Sequence, residues 1–296
     1  MAETGHPTAV IQAQPVPLKR RLRNGAAALR RTPLIPMMIL WMLLICVAFA
    51  PLIATHDPVK NEISNNHAPP STSNFLGTDT LGRDVFSRII YGSRISLALS
   101  LLVIVIGGGT GIILGTVTGY MGGLADALVQ RAVEAILALP LILVALTFVF
   151  TFGFSFWNVI FILCPFVAAR FARIVRGETL SIRERDYVAV AKVMGAPTHQ
   201  IVLKHILPNV FNTVVVISTL EVGHIILVES SLSFLGVGIP PPNPAWGLMV
   251  ADGRQYITSA YWITLFPGLA ILATVLSLNL FGDWLRDTLD PRRRQL

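Results

Sequence analysis

At 296 residues, 53% hydrophobic and only 13% charged, with a mean hydropathy of +0.67, the chain carries about half the charge of a soluble globular domain. Too little polar surface remains to cover a water-soluble core of this size, so lipid is the solvent for much of the chain. A net charge of +7 does not indicate nucleic acid, because the basic residues are not interleaved with aromatics along one stripe. Cys46 and Cys164 both fall in apolar runs, at no metal-ligand spacing and with no expectation of a structural disulfide.

Six apolar stretches have the length of about 17–25 residues that crosses a bilayer as helix. They run from Pro33 to Ala54, Ile95 to Tyr120, Leu128 to Phe152, Trp157 to Ile174, Thr213 to Gly236 and Trp262 to Leu285. An all-α membrane protein with six transmembrane helices is expected. Ala48-Phe49-Ala50 resembles a signal-peptidase site, but the preceding tail and the apolar run are both too long for a cleaved leader, so the first span reads as an uncleaved anchor. Of the 23 basic residues, 18 lie in the tail 1–32, around Arg131, in the 170–211 stretch and in the C-terminal tail 286–296. Only Lys60, Arg83, Arg88, Arg94 and Arg254 lie in the opposite set of segments. The positive-inside rule then puts both termini in the cytoplasm.

The loop 55–94 is extracytoplasmic on this reading, and its Pro-, Asn- and Ser-rich first half reads as coil. In its second half Leu81, Val85, Phe86, Ile89 and Ile90 fall at helical spacing, with Arg83, Asp84 and Arg88 elsewhere. The pattern predicts a short amphipathic helix on the membrane surface, overlapping with the simpler reading of a packed connector. The second span carries Gly107, Gly111, Gly115 and Gly119. Spacing of four makes a flat strip that another helix backbone can approach closely, as intramolecular packing or as a sliding surface. Pro140, Pro165 and Pro267 fall inside the third, fourth and sixth spans and each permits a kink.

Glu134, Glu221, His224 and Glu229 lie in or near spans. An ionised group at mid-depth costs about 2.5–3.5 kcal/mol on insertion scales, so such residues face a bundle interior or a watery path. Glu221 and His224 are i, i+3, and Glu229 lies on the same general side. Together they line a translocation path or join subunits; both readings stand. Glu134 is near the end of its span and within reach of water. The 239–257 loop is stiffened by Pro240, Pro241, Pro242 and Pro244 and bears Trp246 and Arg254. It suits docking of an outer partner domain, or Trp246 serves as an interfacial anchor.

The segment DYVAVAKVMGAPTHQIVLKHILPN, from Asp186, reads as helix, turn and helix. Tyr187, Val190, Ala191 and Met194 share one face of about two turns. Gly195 suits the position after the helix end, Pro197 forbids continuation and Thr198 can cap the next helix. On the cytoplasmic side this is a compact knob of the size that fits a partner's groove, or else a hairpin lying on the membrane. No phosphate loop, H-E-x-x-H motif or nucleophile elbow occurs. The chain is therefore expected to be non-catalytic, with any energy supplied from outside.

The YVAVAKVMGA…ILPN segment resembles the E-A-A…G…I-x-L-P loop of binding-protein-dependent ABC permeases. Gly195 matches the motif's glycine and Ala191 its second alanine, while Ala189 stands where glutamate is usual and Val190 where the first alanine is usual. LGTDTLGRDVFSRIIYGSRISL, ESSLSFLGVGIPPPNPAWG and FPGLAILATVLSLNLFGDWLRDTLDPR extend the likeness over about 75–293, to C-type permease subunits of the dipeptide, oligopeptide and nickel importers.

The resemblance implies a type I importer permease fold, with a five-helix core at 95–285 behind an extra N-terminal helix at 33–54. It implies a heterodimer with a B-type permease, two ABC ATPase subunits, an outer substrate-binding protein and a place in the bacterial cytoplasmic (inner) membrane. ATP and Mg would be bound by the ATPases, with no cofactor or metal in this chain. Asp186, Tyr187, Val190, Ala191, Met194, Gly195 and Ala196, within a coupling loop at 175–211, would contact the ATPase. Peptide is the expected substrate, with a nickel chelate or another small solute as the alternative. An ion-coupled secondary transporter is the rival class; it would usually show broken helices in repeated halves, and no internal repeat is evident. An intramembrane enzyme or scaffold lacks a catalytic constellation.

Overall fold

A computed structural model describes residues 33–289; the expected tail 1–32 and positions 290–296 lie outside the described residues. Among the described residues the regular structure is helical, with one isolated bridge between Thr78 and Asp84. The helices are α1 (Leu34–Ile53), α2 (Val85–Met121), α3 (Gly123–Ala138), α4 (Leu141–Phe152), α5 (Phe156–Arg183), α6 (Asp186–Val193), α7 (Thr198–Phe234), α8 (Trp246–Gly253) and α9 (Trp262–Leu289). Helices α1, α2, α5, α7 and α9 are each long and apolar enough to cross a membrane, and α3 with α4 makes a sixth span if the bent pair counts as one.

Three expected boundaries move, each for a local reason. The expected surface helix is the first turns of α2, which runs unbroken from Val85. Asp84 caps it, accepting from the Ser87 N–H at 2.8 Å and the Ser87 hydroxyl at 2.7 Å. Both sides of these turns are covered: Val85 and Ile90 are buried, and so are Ser87, Ser93 and Arg88, the last 1% exposed.

The third span bends by 85° between α3 and α4. Leu139 takes the extended backbone that a following proline favours, and Pro140 opens α4 without an N–H to offer. Helix α5 continues past Ile174 to Arg183, so Arg176 and Arg183, expected beyond the span, lie on the helix. Arg176 grips Asp126 of α3 through two bonds of 2.6 and 2.7 Å. Arg183 donates to the Gly119 and Tyr120 carbonyls at the end of α2, closing carbonyls the helix leaves open.

The glycine strip is an intramolecular seam. A Cβ on Gly107 would come within 2.7 Å of the Cys164 carbonyl, one on Gly111 within 2.5 Å of Ala168 O, and one on Gly115 within 2.6 Å of Ala172 O. The partners repeat at the same spacing of four, so the two backbones run in contact along α2 and α5. Above the seam, Leu99, Val103, Val159, Leu163, Phe171 and Ile225 form the main apolar core. Toward the other end, Val175, Ile182, Ile201, Ile206 and Val210 form a second cluster.

The loop 55–84 folds as a cap rather than as free coil. Asp79 accepts from the Leu81 and Arg83 N–H groups and pairs with Arg83 Nε at 2.7 Å and Arg88 Nε at 3.4 Å. Arg83 also faces Asp252 of α8 at 3.9 Å, and Trp262 of α9 donates its indole N–H to Thr78 O at 3.1 Å. Burial pushes the Asp252 carboxyl above its ordinary range, opposed by the guanidinium groups of Arg88 and Arg83. Asp79, Arg83 and Arg88 are buried together, each with a counter-charge within 3.4 Å.

Candidate functional site

Helix α6 forms the expected knob, but rooted differently from the expected face. Val188 is 0% exposed, and with half-buried Ala191 it packs on Val175, Ile182, Ile201 and Ile206. Tyr187, Val190 and Met194 of the expected face point outward, joined by Val193, which the helical pattern did not single out; Val193 is 89% exposed and Met194 82%. Asp186 and Ala189 are also exposed. The turn closes as the sequence indicates: Gly195 sits at φ +79°, and the Ala196 N–H donates back to Ala191 O at 3.0 Å. Tyr187 leans toward His205, with ring centres 6.1 Å apart. The result is a short apolar tip on a buried apolar root.

The polar groups of the spans divide into two places. Glu221 of α7 accepts from Arg170 Nη1 of α5 at 2.7 Å. Arg170, Glu221 and His224 line one depression, walled by Leu141 of α4, Phe166 of α5 and Val228 of α7. Glu229 does not join them. It is buried, and its Oε1 accepts from the Ser233 hydroxyl at 2.6 Å within its own helix. The single stripe expected from spacing is therefore a shallow depression shared with Arg170 plus a separate buried acid. Arg170 fell inside the expected fourth span but was counted only with the basic 170–211 stretch. Glu134 is exposed on α3 beside Arg131 at 3.2 Å.

Trp246 is not a docking residue or an interfacial anchor in this structure. It is 1% exposed, and its indole N–H donates to Ile89 O at 2.9 Å, tying α8 to α2. The close approach is possible because a Cβ on Gly92 would lie 2.8 Å from the Trp246 ring. Arg254 remains exposed, its guanidinium 5.4 Å from the centre of the Phe234 ring. Cys46 and Cys164 are both free and half-buried.

Residues 111–295 match the family described as the binding-protein-dependent transport system inner membrane component. Among curated relatives, the chain is 36% identical to the probable D,D-dipeptide transport system permease protein DdpC of Escherichia coli over 93% of this chain and 94% of that one. It is 38% identical to the dipeptide transport system permease protein DppC of Bacillus subtilis, over 93% and 85% of the two chains. It is 40% identical to the glutathione transport system permease protein GsiD of Pectobacterium atrosepticum, over 85% and 84%. With the helical architecture and the apolar spans in place, the chain belongs to the family of inner membrane components of binding-protein-dependent transport systems, and is an integral membrane permease subunit.

Proposed function

We propose that the chain is the C-type permease subunit of an ATP-driven importer that carries di- or oligopeptides into a bacterial cytoplasm by alternating access. The observation that carries this reading is the α6 knob, whose buried Val188 root and exposed Val190, Val193 and Met194 tip have no partner within the described chain. An apolar tip of two turns fits a groove on a separate subunit. The energy source is a pair of ABC ATPases that bind ATP and Mg and meet residues 186–196. The basic bias of the segments supports a cytoplasmic location for the knob and both termini in the inner membrane. A B-type permease completes the path, and an outer binding protein delivers the substrate to the opposite end, where Arg254 is exposed. The relatives named for dipeptides and glutathione support a short peptide as cargo.

Closing the ATPases would draw the knobs together and rock the spans; shifting such an equilibrium from 1:99 to 99:1 takes about 5.5 kcal/mol. The test is a mild-detergent purification of the tagged chain from its native membrane, followed by mass spectrometry. A sister permease and phosphate-loop ATPases are expected to remain bound. The paired substitution Val193→Asp, Met194→Asp is expected to release the ATPases while leaving the chain in the membrane. Retention of the ATPases by that variant, or a wild-type chain that purifies as a homo-oligomer, overturns the proposal.

A further inference from the structure

Arg170 lies midway along α5, and Glu221 midway along the Leu207–Phe234 part of α7. Both lie in helices long and apolar enough to cross a membrane, Arg170 four residues before Ile174, the last residue of the apolar run of α5. Their 2.7 Å pair is unequally covered: the Glu221 side chain is 10% exposed and that of Arg170 34%. His224 is exposed on the same depression, and Arg173 is exposed one turn along α5. Charged groups within a span do not face acyl chains, so this face meets protein or water. Glu221 engages only one guanidinium nitrogen, Nη1, at hydrogen-bond distance. The guanidinium fork matches a carboxylate and keeps its charge at any physiological pH.

We infer that Arg170 is a subsite within the spans for the free carboxylate of a peptide in passage, with Glu221 as its resting counter-ion. This rests on the importer reading above. A peptide carboxylate passing between apolar spans needs a counter-charge, and Arg170, the more exposed member of the pair, presents one at the depression. Glu221 then remains beside the site, so the guanidinium returns to its internal partner when the peptide leaves. The subsite binds tightly enough to admit a carboxylate and, because Glu221 competes, weakly enough to release it. Glu229 takes no part, being held by Ser233 within α7.

The experiment uses the complete complex in vesicles, with its binding protein, a labelled peptide carrying a free carboxylate, and the same peptide as its amide. The neutral double variant Arg170→Gln, Glu221→Gln avoids leaving an unpaired buried charge. Its uptake of the free-carboxylate peptide per ATP hydrolysed is expected to fall about tenfold, the scale of one charge-assisted hydrogen bond, with the amide changed less than twofold. Equal loss for both peptides, or none for either, overturns the subsite.

A second measurement does not depend on that variant assembling. His224→Cys, with Cys46 and Cys164 changed to serine, is treated with a charged methanethiosulfonate. Labelling that the free-carboxylate peptide slows and the amide does not supports the subsite; no labelling with or without ATP, or equal protection by both peptides, overturns it. Wild-type complex that takes up no peptide with ATP overturns the importer reading itself, and the subsite with it.

Discussion

At Gly195 the backbone is left-handed, φ +79°, and a Cβ would meet nothing within 4 Å. Conformation rather than crowding therefore sets the demand for glycine there. Gly195→Val is expected to cost about 1–2 kcal/mol locally and to misdirect Val193 and Met194, so that ATP-coupled uptake fails while membrane insertion persists. Gly195→Asn, which tolerates the same conformation, is expected to retain uptake; uptake assays on the two variants side by side check this. Trp246 makes the opposite case. Buried against α2, it is expected to cost about 3–5 kcal/mol as Trp246→Ala, read as a lower thermal midpoint of the detergent-solubilised chain. Arg254→Ala on the exposed surface is expected to leave that midpoint nearly unchanged.

Between elements, the α2–α5 seam decides how close the central helices approach. Gly111→Val would drive its side chain into Ala168 O and Phe171 Cβ, both 2.5 Å from the Cβ position. Overpacking of this kind costs about 1–3 kcal/mol, and where the obstacle is backbone the helices themselves must separate. Gly109, two residues away and on the opposite face of the same helix, has nothing within 4 Å of its Cβ position. Gly109→Ala is therefore expected to leave stability within about 0.5 kcal/mol of wild type. Thermal unfolding of both variants checks the contrast, and equal effects would mean that the seam is not a tight contact.

For the molecule as a whole, the 55–84 cap fastens the ends of several helices together. Thr55 at the end of α1 donates to Asp84 at 3.3 Å, Asp79 holds Arg88 of α2, Arg83 faces α8, and Trp262 ties in α9. Asp79→Ala would leave Arg83 and Arg88 buried without their nearest counter-charge. Breaking such a pair from one side costs about 3–5 kcal/mol. Arg131→Ala, which removes an exposed pair with Glu134, is expected to cost no more than about 1 kcal/mol. Thermal midpoints of the two variants test whether the cap holds the helix ends; similar small shifts would show that it does not.

Much of the architecture was legible from residues alone. The apolar runs located the spans, though several helices run about ten residues further than the runs themselves, Gly195 and Pro197 marked the end of the knob, and Pro140 marked the bend in the third span. Helical spacing identifies a face but not what that face will meet. Hence Arg88, expected on the polar side of a surface helix, is buried beside Asp79, and Trp246, expected outward, turns in to donate to Ile89 O. Arg170 was counted only with the basic stretch: three arginines within seven residues looked like the end of a span, yet α5 runs on to Arg183 because Asp126 pairs with Arg176 and helix-end carbonyls of α2 receive Arg183. The sequence by itself determined the lipid-borne, all-helical character of the chain and the place of its knob, since these follow from composition, length and turn chemistry. Only the tertiary structure decided which polar groups meet, because pairs such as Arg170 with Glu221 and Asp79 with Arg88 depend on how separate helices are set against one another.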